Sequence, residues 1–269
     1  MIHKSAVVDE SAIIGQNVEI GPNVVIGKNV KLGDNVTIMP GAYLEYCEIG
    51  DGTVISPFAC IGTAPQDLGY KGAPTKAIIG KNCIIKEYVT VHRGAEEGTA
   101  TVVGDKCLLM VGTHVAHNCV LENEVIMANL ATIGGHVHVG FGAFLGGQSV
   151  FHQNVRIGEM AIISGASAAR MDILPYTKSE GIPCIPHGIN AIGLRRRGVS
   201  KDDRDALHKA VRLLRSPDYN TTQAIEIIEK EVPMNKYVTN VIDFIRTSKR
   251  GVTLKNKDAY YANIIDNEE

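Results

Sequence analysis

The chain has 269 residues and a formal net charge of −2; 45% of its residues are hydrophobic, only 5% are aromatic, and tryptophan is absent. Such a composition excludes a disordered chain, the near balance of charge disfavours a general nucleic-acid binder, and no stretch approaches the roughly 20 apolar residues of a membrane span. The N-terminus lacks the charged and apolar blocks of a signal peptide, so the expected location is the cytoplasm. Of 28 glycines, only Gly251 lies beyond residue 198, which points to two regions of different architecture. The six cysteines (47, 60, 83, 107, 119 and 184) form no C-x-x-C pair and are expected to be buried thiols.

From the N-terminus, a large apolar residue recurs at every sixth position: Ile2, Val8, Ile14, Ile20, Ile26, Leu32, Ile38, Leu44. One residue is lost and the step resumes at Ile49, Ile55 and Ile61. After an insertion it continues at Ile79, Ile85 and Val91. After a second it runs unbroken from Val103 to Ile163, which brings the total to 25 hexads. Position five of the hexad is small or β-branched, and position two is often glycine, as at Gly15, Gly21, Gly27 and Gly33. A period of six fits neither a helix nor an alternating strand. It predicts a triangular solenoid in which each hexad supplies one short strand and one corner. Three hexads close a coil, and coils stack as parallel strands about 4.8 Å apart. Glycine at position two is expected to allow corner conformations that a Cβ would hinder. The pattern resembles the hexapeptide-repeat family of left-handed parallel β-helices. The left hand comes from that resemblance, because ordinary parallel crossovers are right-handed.

The insertions fall near 63–78 and 94–102, and both must leave the coil. A loop on a rigid scaffold is a natural carrier of function; the second is expected to be a neutral insertion. The repeat ends near Ala168, and 171–188, with Pro175, Pro183 and Pro186, reads as an irregular exit. The basic run Arg195-Arg196-Arg197 precedes the first predicted helix; it is either a phosphate or acidic-protein contact or a solvated charge run. Ser200 is the predicted N-cap of that helix, with Ala206, Leu207, Ala210, Val211 and Leu214 on its buried face. Further helices are expected over Thr221–Val232 and Asn235–Ser248, and the tail after Gly251 should be loosely held. The expected organisation is a β-helix over 1–188 and a helical domain with its tail over 189–269.

Five of the nine histidines, His114, His117, His136, His138 and His152, crowd the second half of the solenoid. Residues 18 apart stack, so His117, Gly135 and Gln153 form one column, and Asn118, His136 and Asn154 the next. A neutral imidazole can take a proton from a hydroxyl, and a backbone N–H one rung away can face a developing oxyanion. Together they suggest acyl transfer to an alcohol. Two other readings stand beside it: outward-facing solvated histidines, and a zinc site of the kind that γ-class carbonic anhydrases build on this fold.

Gln66-Asp67-Leu68, Val89 to Gly94, His114 to Cys119, Gly135-His136-Val137, His152-Gln153 and Gly193 to Gly198 occur in one family's order. By them the chain resembles the UDP-N-acetylglucosamine O-acyltransferases of lipid A synthesis over essentially its whole length. The resemblance implies a (3R)-3-hydroxyacyl chain passed from acyl carrier protein to the glucosamine 3-hydroxyl of UDP-N-acetylglucosamine. It further implies His117 as general base and the Gly135 N–H at the thioester oxygen. Gln66, Asp67, His114, His136, His152 and Gln153 match substrate-binding positions. Asn190 and Arg196 match nucleotide and phosphate contacts, with Arg197 nearby. Gly165 matches the end of the acyl groove and implies a chain nearer fourteen carbons than ten. The resemblance implies a homotrimer with sites between subunits, and no metal or other cofactor. The chain departs from the family pattern at three positions. Asn118 stands where an aspartate is common, Ile192 where a glutamate is common and Gly69 where some members have lysine. The last two leave open an amino-sugar variant of the nucleotide. The N-acyltransferase of the same pathway carries an additional N-terminal domain, for which hexads beginning at Ile2 leave no room. Acetyl-CoA-dependent hexapeptide transferases have fewer coils and no Arg-rich helix entry. A non-enzymatic scaffold would not explain the column at His117.

Overall fold

A computed structural model describes residues 1–255. Three-hexad coils stack into sheets of nine, eight and ten strands; within the coils each strand pairs in parallel with the one three places along the chain. The first sheet includes Tyr43–Leu44, Cys60–Thr63, Thr90–His92, His114–Val115, Thr132–Ile133 and Val150–Phe151. The second includes Cys47–Ile49, Lys76–Ile79, Ala100–Val103, Val120–Leu121, His138–Val139 and Arg156–Ile157. The third includes Val54–Ile55, Ile84–Ile85, Leu108–Leu109, Ile126–Met127, Phe144–Leu145 and Ile162–Ile163. Position-one residues fill the interior: Ile26, Leu44, Ile61, Ile85, Leu109, Ile133 and Leu145 are all fully buried. Each such burial contributes roughly 1.5–3 kcal/mol, repeated in every hexad. Position five packs beside them; Cys83, Cys107 and Cys119 are buried free thiols there, as is Cys47, whereas Cys60 is half-buried. Burial pushes the Cys119 thiol up to about 12.

The corners correct one expectation. Left-handed backbone sits at position four, where Asn17, Asn23, Asn29, Asn35, Asn82, Asn118 and Asn154 have φ of 53–62°. Asparagine tolerates that region better than most residues. The position-two glycines serve a different need. A Cβ at Gly80 would lie 2.7 Å from the Asp105 nitrogen, and one at Gly146 2.5 Å from the Gly165 nitrogen. They let one coil's corner lie against the next.

Both insertions are shorter than expected, because the ladder runs into them. Thr63 and residues 76–79 are strand, and so are 100–103, which leaves loops 64–75 and 94–99. The exit after Ala169 is also more regular than expected. Strand Thr177–Glu180 adds to the third sheet and turns back antiparallel as Ile185–Ile189.

Four helices follow: α1 (Ala191–Arg196), α2 (Lys201–Arg215), α3 (Thr221–Glu231) and α4 (Lys236–Arg246). The short α1 was not expected, and Arg195 and Arg196 form its last turn rather than a linker. Ser200 caps α2, accepting from the Asp203 N–H at 3.0 Å, and the five predicted residues of that helix are buried. The helices share an apolar cluster with Leu174 and Tyr176, separate from the solenoid core. Arg156 ties α4 to the coils, donating to Asp172 at 2.9 Å and to the Phe244 carbonyl at 2.7 Å. The part of the expected tail beyond Lys255 lies outside the described residues. No described helix is long and apolar enough to cross a membrane.

Candidate active site

One edge of the prism, the corner between the first and second sheets, carries most of the candidate residues. Loop 64–75, loop 94–99, His117, Gly135 and Gln153 follow one another there on successive coils, as the pairing of Thr63 with His92, of Val91 with Val115, and of Val115 with Ile133 shows. The predicted column is therefore present. The His136 N–H donates to the His117 carbonyl at 3.0 Å, and the Asn154 N–H to the Gly135 carbonyl at 2.9 Å.

The His117 ring lies across Gly135. A Cβ on that glycine would stand 2.7 Å from both Cε1 and Nε2, so only glycine leaves the imidazole its place. His117 Nδ1 lies 2.9 Å from Asn118 Oδ1. His136 meets the His117 ring edge-on at 5.2 Å and points Nε2 at the Glu96 carboxylate, 3.5 Å away. His114 is bonded to Thr90 (Nδ1 to Oγ1, 2.7 Å) and meets His92 edge-on at 4.8 Å. Burial lowers the His114 imidazole, and burial together with His114, His117 and Arg93 pushes His92 down to about 4. Both rings are thus neutral at pH 7, apolar walls with one polar edge. His152 and Gln153 are exposed one coil beyond Gly135, and an Arg250 nitrogen stands 3.3 Å from His152 Nδ1.

The first loop projects from this edge. Gln66 and Asp67 are exposed, and Asp67 closes its own turn by accepting from the Gly69 N–H at 2.7 Å. Arg93 holds the root of the loop: Nε donates to the Tyr70 hydroxyl at 3.1 Å, while Nη1 donates to Glu45 at 2.9 Å and to the Gly62 carbonyl at 2.8 Å. The second loop, expected to be a neutral insertion, bonds back onto the coil. Its Ala95 N–H donates to Asn118 Oδ1 at 2.9 Å, and Asn118 Nδ2 donates to Thr99 Oγ1 at 2.9 Å.

The remaining candidates stand on the other two corners. Asn190 is buried, capping α1 through the Gly193 N–H at 3.0 Å and donating to the Met160 carbonyl at 3.0 Å. Arg197 pairs with Glu124, its guanidinium 5.0 Å from the Phe141 ring, and Arg196 is exposed beside it. Met160 and Glu124 both lie where the second sheet passes to the third. Gly165 lies where the third passes to the first; a Cβ there would approach the Gly147 carbonyl to 3.1 Å. The described part of one chain does not gather all of these residues. Among the described residues, no three of the His, Cys, Asp and Glu side chains are grouped to hold a metal.

A left-handed β-helix with a glycine-backed imidazole on one edge defines the class, a hexapeptide-repeat acyltransferase. A family model described as UDP-N-acetylglucosamine O-acyltransferase, domain 2, matches residues 172–253. A second, the C-terminal domain of GMPPB, matches residues 1–64. An acyl-[acyl-carrier-protein]–UDP-N-acetylglucosamine O-acyltransferase of Synechocystis is 43% identical over 201 residues, 75% of this chain and 72% of that protein. A protein of the same name from Helicobacter pylori is 38% identical over 82% of this chain and 81% of its own. The solved UDP-N-acetylglucosamine acyltransferase of Bacteroides fragilis superposes with a TM-score of 0.90 at 40% identity, over 94% of this chain and 99% of that one. The Arabidopsis enzyme superposes with a TM-score of 0.82 at 30% identity, over 94% and 100%. The chain belongs to the UDP-N-acetylglucosamine O-acyltransferase family.

Proposed function

We propose that the protein transfers a (3R)-3-hydroxyacyl chain from acyl carrier protein to the glucosamine 3-hydroxyl of UDP-N-acetylglucosamine. The observation that carries the mechanism is the imidazole of His117 held across the backbone of Gly135. His117 Nε2 takes the proton of the 3-hydroxyl as its oxygen bonds to the thioester carbonyl carbon. The Gly135 N–H faces the oxyanion of the tetrahedral intermediate. Collapse breaks the carbon–sulfur bond, and the thiolate leaves with the proton from His117. Gln66, Asp67, His114, His136, His152 and Gln153 hold the sugar and acyl groups. Asn190, through its remaining hydrogen-bonding capacity, Arg196 and Arg197 hold the nucleotide phosphates.

These residues occupy three corners of the prism, so a complete site needs a neighbouring copy's corner beside the His117 edge. This supports a homotrimer with sites between subunits. The exposed Ile84, Phe58, Tyr88 and Leu130 supply apolar surface for such contacts, with Phe58 and Tyr88 stacked at 5.4 Å. Glycine at 165 leaves the groove open for a chain nearer fourteen carbons than ten.

One set of measurements tests this: solution mass, then turnover by wild type and His117→Ala with hydroxyacyl carrier proteins of ten to fourteen carbons. A trimer, fastest with the longer donors, should lose activity by about a thousandfold or more in the variant while its melting temperature holds. A monomer, a preference for ten carbons, or near-wild-type turnover by His117→Ala would each remove the corresponding part.

A further inference from the structure

We infer that Thr99 is a positioning residue for the base: acting through Asn118 and together with the Ala95 N–H, it sets which nitrogen of His117 carries the proton. The inference rests on His117 being the base and adds a group from outside the repeat.

The argument is one of donors and acceptors. The Thr99 hydroxyl has a single proton, and the Glu96 carbonyl, 2.6 Å from Oγ1, takes it. The oxygen of Thr99 is left with lone pairs only, so the Asn118 atom 2.9 Å away must be the amide nitrogen. The opposite end of the amide is fixed independently. The Ala95 N–H can only donate, so the atom it reaches at 2.9 Å must be the amide oxygen. That oxygen also faces His117 Nδ1 at 2.9 Å. A carbonyl oxygen cannot donate, so Nδ1 carries the proton and Nε2 keeps its lone pair. Nε2 is the nitrogen beside Gly135.

A reversed amide would set NH2 against the Ala95 N–H and carbonyl oxygen against the Thr99 lone pairs. It would also offer a donor to Nδ1. That favours the tautomer protonated on Nε2, which cannot accept a proton from the substrate. An aspartate at 118 presents oxygen at both ends and has no wrong orientation. Asparagine does, and loop 94–99 removes it. Gly135 lies against Cε1 and Nε2, and His136 meets the ring edge-on, its Nε2 3.5 Å from the Glu96 carboxylate. They touch other atoms and leave the Nδ1 contact to Asn118.

The test is a cycle of variants: Thr99→Val, Thr99→Ser, Asn118→Asp, and Asn118→Asp with Thr99→Val. Thr99→Val should lower kcat about tenfold and leave KM for the sugar nucleotide within about twofold. Thr99→Ser should restore turnover. In the Asn118→Asp protein, adding Thr99→Val should cost no more than about twofold. Nitrogen-15 shifts of His117 in its neutral form should move toward Nε2–H in Thr99→Val and not in Thr99→Ser. An equal penalty in both backgrounds, or an imidazole that keeps Nδ1–H in Thr99→Val, overturns the inference. The tautomer is read without turnover, so this failure is separate from that of the base assignment, which His117→Ala decides.

Discussion

The two insertions leave the solenoid at the same corner, one coil apart, and put it to opposite uses. Loop 64–75 reaches outward: Gln66, Asp67 and Leu68 are exposed, Leu68 at 98%, and the loop is held at its root. Loop 94–99 is too short to project. It folds against the next coil, buries Gly94 and Ala95, and gives that coil a backbone N–H and a hydroxyl. On the proposed mechanism the outward loop would offer side chains to a ligand, while the inward loop holds Asn118 beside His117. A rigid stack provides neither by itself, because its corner residues are already committed to turns and ladder bonds.

Removing the anchor of the outward loop is expected to have the largest effect on stability. Arg93 is buried and meets Glu45, the Gly62 carbonyl and Tyr70, with its guanidinium 4.5 Å from the Tyr46 ring. Arg93→Ala leaves Glu45 and the carbonyl without their donor and frees the loop's root. It should cost about 2–4 kcal/mol in denaturant unfolding and raise KM for the sugar nucleotide more than it lowers kcat. A loss below about 1 kcal/mol would mean that the loop holds itself.

The inward side has an acid-sensitive root. His92 ends the strand before loop 94–99; it is 6% exposed and its Nδ1 has no partner among the described residues. Its pKa in the folded protein is about 4, against roughly 6.5 when unfolded. Between those values the unfolded chain binds the additional proton, so stability falls as pH falls. The loss is about 1.4 kcal/mol per pH unit, or up to about 3 kcal/mol by pH 4, with His114 adding in the same direction. His92→Gln should flatten unfolding free energy against pH over that window by about one proton. An unchanged slope would place the acid sensitivity elsewhere.

The solenoid was legible because its interior demand repeats: between the breaks in the step, the position-one residues from Ile20 to Ile163 face the same narrow core. The His117–Gly135–Gln153 column followed from the same step, since no residue is inserted between those coils. The step failed below His117. Val91 pairs with Val115 across 24 residues, so counting by 18 could not bring Thr99 or Ala95 to Asn118. Asn118 was noted, but its contacts to the loop were hidden at a corner where asparagine is common for its φ of 59° alone. The role of the position-two glycines was misread because single-residue propensity favours a backbone reading, whereas the crowding comes from the coil above. Arg196 and Arg197 were noticed as charge, but their helix was too short to show a period.

The smallest effect expected, and the one most specific to the inward loop, comes from giving Asn118 a charge. In Asn118→Asp the carboxylate still accepts from the Ala95 N–H and from His117 Nδ1–H, so the imidazole keeps its orientation. Thr99 must turn its hydroxyl from the Glu96 carbonyl toward the new oxygen. A negative charge in contact with imidazole favours imidazolium, the form that cannot act as base. The acid limb of kcat/KM should therefore move to higher pH, by up to about one unit, while the rate on the alkaline plateau stays within a few-fold. A limb that stays in place would show that 118 does not reach the titrating group, and the inward loop would lose its part in the chemistry.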